Sequence, residues 1–330
     1  MARPIRITEL ELLLGGAFRA LRIHDRSSFS WFGYRDSIPR SRARSLPRDE
    51  LLAYARRRIC QRLYESFYAR GAALPVVQSE EPSAWERDLF VRTLTRANSG
   101  RYVDEPGWKI IAEGVRDFVV SKHGLSVRVR RDSVKRIVGD RGVIRYSAEL
   151  LNSSPGFYTV LGDKQFTTQA VVRIYWHLTV DGAVAFVRGV TRLMNDAGLP
   201  FRAKVLSSPQ SFCRADAAVI YMPRSIIFEA YPVVRALYRR LFRHLRSLTP
   251  VFTKRIGDGV AIAEEPQGGG SFGQHRCDIV AKALLSAYRC GAFSVDDQLY
   301  HVRCGFKRAG LSLSQPFLNG GSTDRYPLLT

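Results

Sequence analysis

The sequence lacks the residue patterns of several common protein classes. No run of about 18 consecutive apolar residues occurs, so no segment is predicted to span a membrane. The five cysteines include no C-x-x-C pair, and the six histidines show no H-E-x-x-H motif or other spacing typical of zinc ligands. We therefore predict free thiols in a reducing, cytoplasmic compartment, and no metal site.

Motifs of nucleotide-binding and hydrolytic enzymes are also missing. The glycine run GGGSFG is not followed by the Lys-Ser or Lys-Thr of a P-loop, and neither G-x-G-x-x-G nor G-x-S-x-G occurs in a suitable context. The N-terminal stretch MARPIRITELELLLGGAF carries acidic residues within its apolar part, so it does not fit a secretory signal. The common hydrolase chemistries therefore have no support in the sequence.

Acidic residues are few relative to basic ones. The chain has 30 Asp plus Glu against 51 Lys plus Arg, a net charge of +21. A field of this sign favours anionic partners such as nucleic acid, a phosphorylated substrate, an acidic peptide or a membrane surface. The basic residues are spread along the chain and not gathered in one tail, which argues against nucleic acid. Arginine-rich codon usage is an alternative explanation that requires no partner.

The length of 330 residues has room for about two domains. The stretch LNSSPG at residues 151–156 is the best boundary candidate. Before it, we predict a loop over 27–47, two helices and a run of strands over 108–149. After it, strands alternate with amphipathic helices. We therefore predict an α+β fold, with a mixed sheet flanked by helices in residues 151–330 and a helical-plus-β region in residues 1–150.

The stretch VVRIYWHLTV, residues 171–180, alternates like a β-strand. It puts Arg173, Tyr175 and His177 on one face and apolar residues on the other. The polar face is either wet surface or the floor of an anion site. More cations, with one histidine, follow on or beside later elements: Arg202, Lys204, Arg214, Arg224, Lys254, His275 and Arg276. Arginines bind phosphate bidentately, which holds a dianion without a metal.

These residues also have structural interpretations. Arg173 and Arg224 suit exposed strand or turn positions, His177 suits a hydrogen-bonded structural role, and His275 suits the start of a helix. Lys204 differs, because it lies between apolar neighbours in a predicted strand. An unpaired buried lysine is costly, and burial lowers the pKa of a lysine so that it becomes a useful base.

Several segments resemble, in order, the HopA-type effector-like family, which includes lyases of class V lanthipeptide and thioamitide biosynthesis. The matching segments are FYTVLGD, RIYWHLTVDGAVAFVRGV through VIYMPR, PVFTKRIGDGVAIAEEP and GGSFGQHRC, within about residues 157–290. The resemblance implies a phosphoserine/phosphothreonine lyase. In that family a separate kinase phosphorylates a precursor peptide, and the lyase eliminates phosphate to leave dehydroalanine or dehydrobutyrine.

A more distant resemblance to bacterial effector phosphothreonine lyases implies roles for single residues. By it, His177 is the general acid, Lys204 the general base and Arg214 a phosphate ligand. His275 is a second candidate for the general acid. Tyr175 is found where those enzymes have a lysine, and Arg276 is matched to their last phosphate-binding arginine. Elimination needs a neutral amine near Cα and cations at the departing phosphate, but no attacking water. No cofactor is therefore expected.

The same resemblance implies partners. We expect a phosphorylated precursor peptide, a partner kinase and other proteins of lanthipeptide biosynthesis. Arg128 and Arg130, on one face of the predicted strand LSVRVR, are either solvated side chains or contacts for the peptide leader or the kinase. Two further hypotheses stay open at this point. One is a secreted effector that removes phosphate from host signalling proteins by the same elimination, and the other is a non-catalytic module that binds phosphopeptides.

Overall fold

The computed structural model describes residues 8–76, 83–100, 102–122, 124–151, 153–168 and 170–329. The side chains at positions 40, 42 and 43 lie outside this description. Within the described ranges, no helix is both long and apolar enough to cross a membrane. The same part of the chain contains no cluster of His, Cys, Asp or Glu that would hold a metal ion.

Helices and strands are both abundant, which confirms the predicted α+β class. The helices are α1 (Glu9–Ala20), α2 (Arg40–Ser45), α3 (Arg48–Ser66), α4 (Ala84–Ala97), α5 (Val180–Asp196), α6 (Ile227–Leu241), α7 (Phe272–Arg289) and α8 (Val295–Arg308). The strands of the first half are β1 (Leu21–Asp25), β2 (Ser28–Trp31), β3 (Tyr34–Ser37), β4 (Tyr102–Glu113), β5 (Asp117–Lys122), β6 (Leu125–Arg130), β7 (Val134–Val138), β8 (Arg141–Ser147) and β9 (Glu149–Leu150). Those of the second half are β10 (Phe157–Leu161), β11 (Val171–Trp176), β12 (Arg202–Leu206), β13 (Ala218–Pro223), β14 (Lys254–Gly257) and β15 (Val260–Glu264).

A seven-stranded sheet forms the centre of the second half. Its order is β14-β15-β11-β13-β12-β10-β9, and neighbouring strands run antiparallel. Strand β11 lies between β13 and β15, so both of its edges are paired. Its apolar residues, among them Trp176, turn toward α5, where the ring of Trp176 lies 6.0 Å from that of Phe186. The alternation read from the sequence is therefore the alternation in the sheet.

Helices cover both faces of this sheet. On one face, α5 packs against α6 so closely that a Cβ at Gly189 would lie 2.7 Å from Leu237. On the other face lie α3 and α7, and the ring of Phe272 at the start of α7 is 6.3 Å from that of Tyr175 on β11. The polar side chains of β11, β12 and β13 on this second face are therefore enclosed by α3, α7 and the connecting loops.

The N-terminal helices share the core of the second half. One hydrophobic cluster extends from Leu14 in α1 to Leu329 near the C-terminus, and Arg303 in α8 pairs with Glu11 at 2.6 Å. The sheet β6-β5-β4-β8-β7 instead has a small core of its own, built around Trp108. Within residues 1–150 the part with a separate core is therefore this sheet and not the helices. The division of the chain at residue 150 remains a prediction.

The prediction of a loop over residues 27–47 was wrong. This segment contains β2, β3 and α2, and β1–β2–β3 form a three-stranded sheet. The segment is polar in composition, but two of its side chains are buried and hydrogen-bonded or ion-paired. Trp31 is fully buried and its Nε1 donates to the carbonyl of Leu74 at 2.7 Å, while Asp36 is buried and paired with Arg58 at 2.6 Å. A few anchors are enough to order a short hairpin that has little apolar periodicity.

Candidate active site

A cavity of about 440 Å³ lies over the enclosed face of the central sheet. Its volume is in the range of ligand pockets, about 300–1,000 Å³. Lys204 and Arg202 of β12, Tyr221 of β13 and Thr159 of β10 line it together with Glu265, which follows β15. Residues 166–168 and the glycines at 268 and 269 complete the wall. The cavity therefore combines two cations, a phenol, a carboxylate and several hydroxyls.

Strand register explains why these side chains meet. Directly opposite residues of an antiparallel pair share a face, and alternate residues along each strand return to it. Tyr221 is opposite both Arg173 and Arg202, and Lys204 is opposite Thr159. Positions that are distant in the sequence are therefore brought together by the pairing of four strands, β10, β12, β13 and β11.

Lys204 is the most unusual residue of the cavity. Its ammonium lies 4.2 Å from the ring centre of Phe157 and forms no ion pair with a carboxylate of the described residues. Burial, aided by the positive charges of Arg173 and Arg214, lowers its pKa to about 8, against the opposing effect of Asp216 and Glu265. About one-tenth of Lys204 is therefore a neutral amine at pH 7.

Two arginines beside the cavity differ in burial and in their hydrogen bonds. Arg173 is buried, donates from Nε to the carboxylate of Glu265 and from Nη2 to the carbonyl of Gly270, and its guanidinium lies 5.1 Å from the ring centre of Tyr221. Arg202 is exposed, and its Nη2 donates to the carbonyl of Phe166 at 2.9 Å. Arg202 is therefore the more open to an incoming anion, whereas Arg173 supplies positive charge from behind Glu265.

Arg214 does not line the cavity but lies close to it, beside the ring of Phe157. Its Nε and Nη2 donate to the two oxygens of Asp216, each at 2.8 Å, and Nη2 also donates to the hydroxyl of Tyr64 at 2.9 Å. Its guanidinium is 5.6 Å from the ring centre of Phe157, the ring that Lys204 also contacts. Burial raises the pKa of Asp216, but Arg214 more than offsets this, so the pKa lies below its ordinary value.

Tyr175 and His177 lie near this face but do not line the cavity. Tyr175 is buried, its pKa is raised to about 12 by burial, and its hydroxyl has no hydrogen bond of good geometry to a described residue. His177 comes after the end of β11. Its Nδ1 hydrogen-bonds to the carbonyl of Leu248 at 3.0 Å, and its buried Nε2 has no partner among the described residues. Burial lowers the pKa of His177.

His275 and Arg276 serve a structural purpose. Arg276 is fully buried, and it donates from Nε to the carbonyl of Pro316 at 2.8 Å and from Nη2 to that of Leu318 at 3.1 Å. Its Nη1 lies 2.7 Å from Nδ1 of His275. These contacts fasten the start of α7 to the C-terminal segment. The structure does not bring either residue to the cavity.

Lys254 and Arg224 also lie outside the cavity. Lys254, on edge strand β14, pairs with the carboxylate of Asp324 at 2.6 Å and is opposite Ile262, hence on the other face of the sheet. Arg224 donates from Nη1 to Glu264 at 3.2 Å and to Ser322 at 2.8 Å, and it lines a neighbouring cavity. Of the predicted cations, the structure therefore gathers Arg173, Arg202, Lys204 and Arg214.

Arg128 and Arg130 lie on β6, an edge strand of the five-stranded sheet, remote in sequence and sheet from the cavity. Both side chains are exposed, by 75% and 82%. Arg128 is 3.6 Å from Asp117, and Arg130 is 2.8 Å from Asp132. The positive face predicted from the sequence is therefore partly neutralised by acidic neighbours, and its role in peptide or kinase contact remains a prediction.

Comparison with known proteins identifies the family. The model of the HopA1 effector protein family matches residues 150–318, more than half of the 330 residues. The chain belongs to the HopA1 effector protein family. The search of curated proteins found no match.

Two solved structures are similar to the chain. An effector protein from Pseudomonas syringae pv. tomato strain DC3000 is 15% identical, with a TM-score of 0.48, over 81% of this chain and 95% of the other. An effector protein from Pseudomonas syringae pv. syringae strain 61 is 13% identical, with a TM-score of 0.44, over 81% and 97%. The matched HopA1 region contains the whole central sheet except β9, which begins one residue earlier.

Sequence reasoning missed several residues of the site in this HopA1-family chain. Tyr221 is the one hydroxyl-bearing residue in the strand AVIYMP, a signal that strand alternation would have placed beside Arg173 and Arg202. Asp216 follows Arg214 by two residues, a spacing that suits their bidentate pair. Glu265 had no such signal, because it enters the site from a loop after β15.

The glycine run before α7 contributes only part of its length to the cavity wall. Gly268 and Gly269 line the cavity, but Gly273, within the first turn of α7, does not. A Cβ at Gly273 would lie 2.2 Å from the ring of Tyr68, so this glycine permits close packing of α7. The helix start is therefore not part of the cavity wall.

Proposed function

We propose that this HopA1-family protein is a carbon–oxygen lyase that eliminates phosphate from phosphoserine or phosphothreonine in a peptide. The proposal rests on one observation, the half-buried Lys204 that lines the cavity, forms no ion pair with a carboxylate of the described residues and has a pKa lowered to about 8. A lysine held ready to lose its proton, beside an open arginine, is what elimination from a phosphate ester requires.

The reaction follows from these groups. The neutral amine of Lys204 removes the Cα proton, and the electron pair of that C–H bond forms the Cα–Cβ double bond. The Cβ–O bond breaks, and the phosphate leaves with the bonding pair. The products are an alkene side chain on the peptide, inorganic phosphate and a protonated Lys204, whose proton replaces, through solvent, the one that the general acid gives to the bridging oxygen.

Positive charge around the cavity stabilises the departing phosphate. Arg202 has donors free for a direct contact, since among the described residues only the carbonyl of Phe166 accepts from it, at Nη2. Arg173 and Arg214 are held by Glu265 and Asp216 and add charge from the second layer. The four cations outnumber the two carboxylates, so a dianion entering this low-dielectric site is attracted.

Tyr221 is the proton donor that the geometry favours for the bridging oxygen. It lines the cavity together with Lys204, and its hydroxyl makes no hydrogen bond to a described residue. Burial raises the pKa of Tyr221, so the group is a neutral phenol and a donor. His177, the acid implied by the resemblance, remains an alternative, since its Nε2 is unpartnered but does not reach the cavity wall.

The origin of the substrate separates two forms of the proposal. The similarity of residues 157–290 to lyases of class V lanthipeptide biosynthesis supports a ribosomal precursor peptide phosphorylated by a separate kinase. Membership in an effector family supports instead a phosphorylated host signalling protein. Both use the same elimination and differ in the peptide that reaches Lys204.

Mass spectrometry of a phosphothreonine peptide incubated with the protein tests the proposal. Elimination predicts a product lighter by one phosphoric acid, and the product should add a thiol across its new double bond. A product lighter by HPO₃ alone would mean hydrolysis. An unchanged peptide that nevertheless binds would support a non-catalytic phosphopeptide-binding module. Comparing the elimination rates of a phosphorylated precursor peptide and a host-type phosphopeptide then shows which of the two is the better substrate.

A further inference from the structure

A second cavity of about 380 Å³ adjoins the catalytic one. The two share Val171, Glu265 and Gly268 in their linings, so they are adjacent compartments. The second compartment is bounded on its outer side by Arg224 and by residues 319–322 of the C-terminal segment. A phosphorylated residue in the first compartment would direct one of its chain neighbours toward the second.

Hydrogen bonds hold the wall of the second compartment in place. Glu264 is buried and accepts from Tyr326 at 2.9 Å, from the backbone N–H of Asn319 at 2.9 Å and from Arg224 at 3.2 Å. The side-chain amide of Asn319 donates from Nδ2 to the carbonyl of Glu265 at 2.7 Å. These bonds fix the C-terminal segment against β15. The compartment is therefore a preformed feature of the fold.

Unused hydrogen-bonding groups face this compartment. Arg224 engages Glu264 and Ser322 through Nη1 alone, and its Nε and Nη2 have no partner among the described residues. Ser322 accepts from Arg224 and keeps its own hydroxyl proton to donate. Gln267 is exposed and makes no hydrogen bond to a described residue. Such a set of donors matches the carbonyl groups of an extended peptide.

The charge of the second compartment differs from that of the first. Two carboxylates, Glu264 and Glu265, border it, and their positive partners are Arg224 and Arg173. The compartment is therefore close to neutral. An acidic side chain would approach Glu264 and Glu265 without a new cation to balance it.

We propose that the second compartment, at Arg224 and Ser322, binds the residue next to the phosphorylated one, through its main chain and with an uncharged side chain. This inference rests on the proposed function, because it takes the first compartment as the place of the phosphorylated residue. It makes the substrate an extended peptide and not a free phosphoamino acid. It also makes Arg224 and Ser322 specificity-determining residues outside the reacting centre.

The test compares a capped phosphothreonine with a longer peptide that carries the same phosphothreonine at its centre. For the wild-type protein we expect kcat/KM about tenfold or more higher for the peptide, the size expected from one or two net hydrogen bonds. Ser322→Trp, which fills the compartment, should lower kcat/KM for the peptide by about tenfold relative to that for the capped residue, so that the two substrates become nearly equal. Thr323→Trp, at an exposed neighbour that does not line the compartment, is the matched control.

Two outcomes overturn the inference. Ser322→Trp leaving the peptide unaffected would show that the compartment takes no substrate. An equal loss on both substrates would show a disturbed catalytic cavity and not a subsite. Replacing an asparagine neighbour of the phosphothreonine by aspartate should lower kcat/KM several-fold, and an increase would contradict the neutral subsite.

A binding measurement separates this inference from the proposed function. Fluorescence anisotropy with the same labelled phosphopeptide needs no turnover. Weaker binding by Ser322→Trp than by Thr323→Trp supports the subsite even where the wild-type protein eliminates nothing, and in that case the proposed function alone fails. Equal binding by the two variants overturns the subsite whether or not elimination occurs.

Discussion

The pH dependence of elimination should follow the protonation of Lys204. The pKa of this group is lowered from 10.5 to about 8, first by burial and then by the charges of Arg173 and Arg214. At pH 7 a lysine with a pKa of about 8 is about one-tenth neutral, whereas one at about 10.4 is neutral in about one molecule in 2,500. The cavity therefore raises the population of the reactive amine by about 250-fold.

We expect kcat/KM for a phosphothreonine peptide to rise about tenfold per pH unit below pH 8 and to level above it. The substrate phosphate is already a dianion above about pH 6, so its ionisation does not cause the rise of kcat/KM between pH 6 and pH 8. Lys204→Arg keeps the positive charge but does not deprotonate in this range, so it should abolish elimination. Lys254→Arg, at a lysine outside the cavity that pairs with Asp324, is the matched control and should keep the wild-type profile.

Continuous recording of phosphate release across this pH range, with product masses checked at each end, is the assay. A rate that does not change with pH would refute the assignment of Lys204 as the base. So would a Lys204→Arg variant with wild-type turnover and an intact fold. A rise in kcat/KM that continues to about pH 10 would agree with Lys204 as the base but would contradict the lowering of its pKa by burial.

The remaining predictions concern stability, the phosphate and the acid. The folded-state pKa of Lys204 is below its unfolded value, so protonation destabilises the fold below about pH 8 and the cost is relieved as pH rises toward 10.5. Lys204→Met should therefore stabilise the protein at pH 7 by about 1–3 kcal/mol, measured by denaturant unfolding, and a destabilised variant would contradict this. Arg202→Gln should raise KM more than it lowers kcat, because we propose that Arg202 binds the substrate phosphate; a loss in kcat with KM unchanged, measured by steady-state kinetics, would contradict this role. Tyr221→Phe should lower kcat by about 10²-fold or more and His177→Gln much less; the opposite order would return the role of general acid to His177.

Strand alternation predicted the main parts of the site. The pattern of β11 and the lysine between Ala203 and Val205 were sufficient to place Arg173 and Lys204 on polar positions of a sheet, and the structure puts them on one face. Local patterns work here because a strand fixes the direction of its side chains. The α+β class followed from the same periodicity, combined with the three- and four-residue spacing of helices such as α5.

Long-range contacts set the limit of sequence reasoning. Glu265 reaches Arg173 from a loop, and residues 319–322 reach Arg224 from the C-terminal segment, contacts that no local period encodes. Arg276 looked like a phosphate ligand by resemblance, but two backbone carbonyls occupy its guanidinium. Whether a buried arginine binds a ligand or the backbone depends on which segment packs beside it, and that is a property of the tertiary structure.

The most direct test uses a phosphothreonine peptide with deuterium at Cα of the phosphorylated residue. If an amine removes that hydrogen, the peptide product contains no deuterium, phosphate release is slower than from the unlabelled peptide, and Lys204→Arg releases none. A dephosphorylated product that still contains the deuterium, formed at the same rate as from the unlabelled peptide, would contradict the account.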